Sequence, residues 1–235
     1  PFIDSGVLED TLPYLSAINV FSYGFTEDGN LVLPMTDDAW MIERALQWGV
    51  RPVLTLTPLG EDGHFNNNLV SALVRSQENQ QRLIWELGRT MQEKGYEGLD
   101  IDFEYVLAED RVEYADFVRR ATQVLNIFGY TVTVALAPKG IDYRLLGEAA
   151  NHVMLMTYEW GYSQGPPMAV APINMVRKVV EYAVSEIPPE KIILGIPNYG
   201  YDWPLPFERG VTRAKSLGTL EAVKLAVDFG VDIRF

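Results

Sequence analysis

A chain of 235 residues with 48% hydrophobic side chains can bury one sizeable core, and single α/β barrels commonly run to about this length. Nineteen Lys and Arg against 32 Asp and Glu leave a formal charge of −13 spread along the chain, which argues against a nucleic-acid partner because phosphate recognition needs clustered cations. The absence of cysteine removes disulfides, thiolate ligands and a cysteine nucleophile, and no apolar run approaches the ~18 residues of a membrane span.

Short apolar runs that read as buried strands alternate with stretches whose apolar residues recur every three or four positions. The strands are expected at 17–22, 52–57, 98–104, 131–137, 152–157 and 191–197, and the helices at 37–48, 77–94, 109–128 and 172–185. Gly49, Gly95 and Gly129 close three of these helices just before the next strand. Strict alternation predicts a parallel sheet with right-handed crossovers. No glycine-rich phosphate loop follows an early strand, so an open dinucleotide-binding sheet is disfavoured. The expected fold is α/β, a (β/α)8 TIM barrel incomplete at both ends, with residues 1–3 and 231–235 as stubs of further strands. Residues 1–235 are expected to form a single barrel domain, with 204–235 an insertion or the start of the final βα units.

Within the third run, Gly98-Leu99-Asp100-Ile101-Asp102-Phe103-Glu104-Tyr105-Val106, three carboxylates alternate with large apolar residues. Side chains two apart on a strand share a face and stand roughly 6.6 Å apart, so Asp100, Asp102 and Glu104 are expected in one row, with Leu99, Ile101, Phe103 and Tyr105 facing the other way. Buried together, three like charges cannot all stay ionised, and at least one pKa should rise. Such a row suits an acid catalyst. A solvated edge strand or a divalent-cation site would also accommodate it. His64 and His152 lie far apart with no ligand-spaced neighbour, and neither is expected to bind metal.

Barrel enzymes place their chemistry at the carboxyl ends of the strands, where Glu104 is expected. The other strand ends carry Tyr23 and Phe25, Tyr158 and Trp160, Asn198, Tyr199, Tyr201 and Trp203. Six or more aromatic and polar groups at one rim fit a floor on which sugar rings stack, and point to a carbohydrate enzyme. Tyr23, Trp160, Asn198, Tyr199 and Trp203 are the candidate substrate-binding residues.

The segment Glu97–Glu104 resembles the D-G-x-D-x-D-x-E motif of glycoside hydrolase family 18, the chitinase-like barrels, with Glu97 standing where the family has its first Asp. Met156-Thr157-Tyr158 is similar to the family's Met-x-Tyr, and Gly195-Ile196-Pro197-Asn198-Tyr199-Gly200 to its Gly-x-Pro-x-Tyr-Gly. The serine-x-Gly-Gly signature of the third strand is replaced by Leu54-Thr55-Leu56-Thr57-Pro58. Residues 135–139, 155–161 and 165–172 resemble the spore cortex-lytic branch, peptidoglycan N-acetylglucosaminidases of spore-forming Firmicutes that are often fused to LysM domains.

The resemblance implies a retaining hydrolase in which the substrate's own 2-acetamido oxygen is the nucleophile. Glu104 would protonate the leaving oxygen, Asp102 would hold the acetamido N–H, Asp100 would share a proton with Asp102, and Tyr158 would hydrogen-bond the acetamido carbonyl. No metal or cofactor is implied. The partner is a polysaccharide of amino sugars, peptidoglycan or chitin-like, with neither nucleic acid nor membrane, and the oligomeric state is open. A secreted protein at the cell wall or spore surface is expected. A chitinase, an endo-N-acetylglucosaminidase and a non-catalytic chitinase-like lectin are the alternatives, and the presence of Glu104 weighs against the lectin.

Overall fold

The structure is a computed structural model that describes residues 3–233. Its elements in chain order are α1 (Ser5–Thr11), β1 (Ala17–Phe25), β2 (Leu31–Val32), α2 (Ala39–Gln47), β3 (Arg51–Leu56), α3 (Asn68–Val74), α4 (Gln77–Lys94), β4 (Gly98–Ile101), α5 (Arg111–Ile127), β5 (Thr131–Leu136), α6 (Tyr143–Ala149), β6 (His152–Leu155), α7 (Ile173–Glu186), β7 (Ile192–Leu194), β8 (Tyr199–Asp202), β9 (Lys215–Gly218) and α8 (Thr219–Asp228).

Local chemistry sets many of these boundaries. Asp4 accepts from the N–H groups of Gly6 and Val7 and so starts α1, while Asp142 accepts from Leu145 N at 2.9 Å and starts α6. The Ser76 hydroxyl accepts from Asn79 N at 3.3 Å and starts α4, which ends where Gly95 takes a left-handed φ of 84° that a side chain would oppose.

Seven strands form one sheet in the order β2-β1-β3-β4-β5-β6-β7, with β2 and β7 at its edges. β3 pairs in parallel with both β1 and β4, β4 pairs in parallel with β5, and β2 runs antiparallel to β1. Strands alternating with helices on a mostly parallel sheet form an incomplete (β/α)8 barrel. Four expected strands are shorter than their apolar runs: β4 stops at Ile101, β5 at Leu136, β6 at Leu155 and β7 at Leu194. The first runs on to Phe25. Of the expected terminal stubs, residues 1, 2, 234 and 235 lie outside the described residues, and Ile3 and 231–233 hold no strand.

The chain divides into two compact units, one running to Met154 and taking in Glu186–Ile193, the other made of Leu155–Ser185 and the segment from Leu194. In the first unit Val20, Leu54, Leu56, Leu99, Ile101, Val132 and Val134 of the strands are buried with Leu83, Leu87, Met91, Phe117 and Val118 of the helices. Phe103 anchors an aromatic cluster, its ring 5.4 Å from Phe25, 5.5 Å from Tyr114 and 6.2 Å from Phe117.

A polar knot lies within this core. Asp38 accepts from the hydroxyl of Tyr23, from the Tyr96 hydroxyl at 2.7 Å and from Lys94 Nζ at 2.6 Å. Burial pushes the Asp38 carboxyl up, but Lys94 and the two hydroxyls more than offset this and hold it below its ordinary range.

In the second unit β8 and β9 form an antiparallel hairpin with Tyr199 opposite Gly218 and Tyr201 opposite Ser216. The Thr157 hydroxyl donates to Gly195 O at 2.8 Å, and Trp160 N and Gly161 N each donate at 3.1 Å to Val170 O and Ala169 O. Glycine is required at 161 because a Cβ there would lie 2.2 Å from the Met168 carbonyl oxygen.

Candidate active site

The acid row begins on the third strand of the parallel core. On β4, Asp100 stands in register with Thr55 of β3 and Thr133 of β5. It is 2% exposed, and Asn19 Nδ2 of β1 donates to its Oδ2 at 2.9 Å. Burial, and then the nearby Asp102 charge, push Asp100 up to about 7, against a smaller opposing pull from Asn19. Asp102, half-buried, is pushed up to about 6 by burial and by the Glu104 charge. Asp100 Oδ1 and Asp102 Oδ1 are both buried and have no hydrogen-bond partner among the described residues, as is true of Thr55 Oγ1 and Tyr114 Oη. Four buried polar atoms thus stand without partners in and around the row.

Beyond Ile101 the chain leaves the strand, although Asp102 N still donates to Leu56 O at 2.9 Å. Glu104 is therefore not the last residue of its strand but sits three residues past it, exposed at the carboxyl end. Departure from the strand also ends the alternation: Leu99, Ile101 and Phe103 are buried, whereas Tyr105 is 57% exposed and lines the same cleft as Asp102 and Glu104. That cleft of about 310 Å³ is walled by Phe21, Phe65, Asn67 and Tyr105 around the two carboxylates. It joins a half-buried carboxylate with a raised pKa, an exposed carboxylate and flat aromatic walls, a set fitted to protonating a leaving group beside an uncharged ring.

Tyr23 is corrected. It is 0% exposed with its hydroxyl on Asp38, and Phe25 is packed on Phe103, so neither offers a face to a ligand. The register of β1 against β3 shifts between Val20 and Tyr23, and the aromatic that reaches the cleft from β1 is Phe21. A regular strand alternation gives no warning of that shift.

The remaining candidates belong to the second unit. Tyr158 and Trp160 follow β6 and are half-buried, Asn198 is exposed with its carbonyl accepting from Thr219 N at 3.3 Å, and Trp203 Nε1 donates to Gly165 O at 2.9 Å. Tyr199, Tyr201, Trp203, Pro197 and the segment from Met168 line a cleft of about 570 Å³. The Tyr201 ring is 6.0 Å from that of Tyr199 and 5.7 Å from that of Trp203.

Sequence reasoning did not single out Glu159, whose carboxylate accepts from the hydroxyls of Tyr199 and Tyr201 and whose φ of 64° is left-handed. Burial, then the hydrogen bond to Glu159, raise the Tyr199 phenol. Asn19, Phe21, Phe65 and Tyr105 were likewise not legible as site residues. Among the described residues no group of three or more His, Asp or Glu is arranged to hold a metal ion, and no helix is long and apolar enough to cross a membrane.

Over 234 residues the chain is 36% identical to the Cortical fragment-lytic enzyme of Bacillus anthracis, covering 95% of this chain and 54% of that protein. The crystal structure of the Bacillus cereus spore cortex-lytic enzyme SleL superposes with a TM-score of 0.91 at 35% identity, over 100% of this chain and 56% of that one. The chain thus spans about half the length of these relatives. A chitinase from Chromobacterium violaceum shares the fold, with a TM-score of 0.89 at 23% identity over 98% of this chain and 74% of its own. Glycosyl hydrolases family 18 matches residues 55–224, a span that includes the acid row and most of the second unit, and the chain belongs to that family.

Proposed function

We propose that this chain is the hydrolytic domain of a retaining glycosidase that cleaves N-acetylglucosaminyl bonds in peptidoglycan of the spore-cortex type. The observation that carries the reading is the graded acid row: Asp100 buried, Asp102 half-buried with a raised pKa, and Glu104 exposed at the mouth of an aromatic cleft. In the first step Glu104 gives its proton to the glycosidic oxygen as the C–O bond breaks. The 2-acetamido carbonyl oxygen attacks the anomeric carbon, and Asp102 accepts the hydrogen bond of the acetamido N–H as positive charge grows there. In the second step water attacks the anomeric carbon, Glu104 takes its proton, and the acetamido group is released.

Asp100 serves by keeping the pair from carrying two full charges: each carboxylate is disfavoured as an anion while the other is one. Tyr199 and Trp203 are proposed to bind sugar from the second unit's aromatic cleft, which they line; Trp160 and Asn198, outside its lining, are proposed as further sugar contacts, and Tyr158 as the donor to the acetamido carbonyl. The similarity to cortical fragment-lytic and spore cortex-lytic enzymes supports cortex peptidoglycan over chitin as substrate, and with it an action at the cell wall or spore surface. The test is product analysis after digestion of purified spore cortex. New reducing ends on N-acetylglucosamine support the proposal, and new reducing ends on muramic acid, or cleavage of chitin oligomers alone, contradict it.

A further inference from the structure

A second concave surface lies on the helical layer of the first unit and shares no residue with the cleft of Asp102 and Glu104. α4 presents Gln81, Ile84, Trp85, Gly88, Arg89 and Gln92 along one stripe, at helical spacings of three and four. α5 meets this stripe with Arg120, Val124 and Leu125, and Phe128 follows at its end. Cavities of about 400 Å³ and about 330 Å³ lie along the line between the two helices, and Ile84, Trp85 and Val124 border both. Trp85 is thus a ridge between adjoining hollows. From Gln81 to Gln92 the helix rises roughly 16 Å at 1.5 Å per residue, room for a short oligosaccharide.

The chemistry of the groove selects among occupants. Trp85 is 63% exposed and Phe128 70%, a clustered apolar exposure of the kind that marks a binding surface. Arginine and aromatic residues also favour protein-docking cores, so charge selects the occupant: the aromatic ridge is framed by guanidinium and amide groups, with no carboxylate among the described residues that line either cavity. Arg89 sits over the Trp85 ring at 5.1 Å, Arg120 donates to Gln80 Oε1 at 3.2 Å, and the side chains of Gln81 and Gln92 stand on the exposed edge of α4. Arg89 lies 4.0 Å from exposed Glu93, a solvated pair worth little, and Glu93 itself borders neither cavity. Aromatic faces stack on the C–H faces of pyranose rings, amides pair with hydroxyl and acetamido groups, and guanidinium groups take carboxylates. In a chain of net charge −13, two arginines in one groove give it a local sign opposite to that of an acidic glycan.

We infer that the groove between α4 and α5 is a secondary binding site for an anionic amino-sugar polymer, holding the chain on insoluble substrate apart from the acid row. The inference rests on the glycan-hydrolase reading above, and its test separates the two. Sedimentation with purified peptidoglycan sacculi is measured for Glu104→Gln, in which turnover is blocked, and for Glu104→Gln carrying Trp85→Ala. Hydrolysis of a soluble N-acetylglucosaminyl oligosaccharide is measured in parallel for wild type and for Trp85→Ala alone. Loss of one stacked ring should weaken sacculus binding about tenfold while leaving soluble turnover unchanged.

Unaltered sacculus binding in the Trp85→Ala pair overturns the inference, and so does self-association that Trp85→Ala abolishes without touching sacculus binding. A parallel loss of soluble turnover in Trp85→Ala also overturns it, because Trp85 would then support the fold. A wild-type chain that binds sacculi through Trp85 yet hydrolyses no amino-sugar glycan overturns the functional reading and leaves the groove standing. Phe128→Ser, at the other end of the same groove, should repeat the Trp85→Ala result.

Discussion

Asn19 donates a hydrogen bond at 2.9 Å to one oxygen of Asp100, and the other oxygen of that buried carboxylate has no partner among the described residues. The donor favours the ionised form, while burial and the Asp102 charge oppose it more strongly and leave the carboxyl at about 7. Because the folded pKa lies above the unfolded one, the native chain holds more protons between pH 4 and pH 7 and loses stability as pH rises through that window. Asp100→Asn removes the titrating group at nearly constant shape. Relative to wild type it should be stabilised on the order of 2 kcal/mol at pH 8, with the difference shrinking towards pH 4.5. Denaturant melts at the two pH values measure this, and hydrolysis by the same variant should fall.

Glu104→Gln should keep the fold and the cleft, since Glu104 is exposed and makes no hydrogen bond among the described residues. Gln cannot give a proton to the leaving oxygen, so kcat should drop about 10²–10⁴-fold, the usual contribution of general acid catalysis. Single-turnover kinetics with unchanged substrate affinity would match that role, and a variant keeping more than about a tenth of wild-type kcat would remove Glu104 from it.

The register shift in β1 makes two neighbouring aromatic residues separable. Phe21 lines the acid cleft, so Phe21→Ala should raise KM about threefold to tenfold with little change in melting temperature. Tyr23 donates to buried Asp38, so Tyr23→Phe should cost about 1–2 kcal/mol of stability and leave KM alone. Kinetics and melts on the two variants read both effects directly.

Within the core of the first unit Asp38 gathers two tyrosine hydroxyls and Lys94. Asp38→Ala strands all three donors and should destabilise the chain by about 3 kcal/mol. Urea unfolding midpoints of wild type and variant measure the loss.

Long, periodic elements were legible in the sequence. The helix expected at 77–94 is α4 residue for residue, and those expected at 109–128 and 172–185 match α5 and α7 to within two residues at each end. The short helices α1, α3 and α6 were not expected, because seven residues span under two full turns and leave too little period to read. The hairpin of β8 and β9 was also missed, since its strands are four residues each and carry no clean alternation of burial.

At the candidate site the carboxylates were legible because their spacing is covalent. What surrounds them was not. Asn19, Phe65 and Tyr105 reach the row from a strand two places away in the sheet, a loop and a departure from strand geometry, none of which is marked in the local sequence. Glu159 was hidden for a similar reason, because its partners Tyr199 and Tyr201 lie 40 and 42 residues further on.

The central claim is that the substrate's acetamido group, held by Asp102, is the nucleophile. Matched cortex oligosaccharides, one N-acetylated and the other de-N-acetylated at the sugar to be cleaved, test it most directly when their hydrolysis by wild-type chain is followed side by side. The acetylated glycan should be cut, the free amine should not, and an N-acetylglucosamine thiazoline should inhibit the first reaction as a mimic of the cyclic intermediate. Equal cleavage of both glycans, with no inhibition by the thiazoline, would contradict the account and make Asp102 itself the nucleophile.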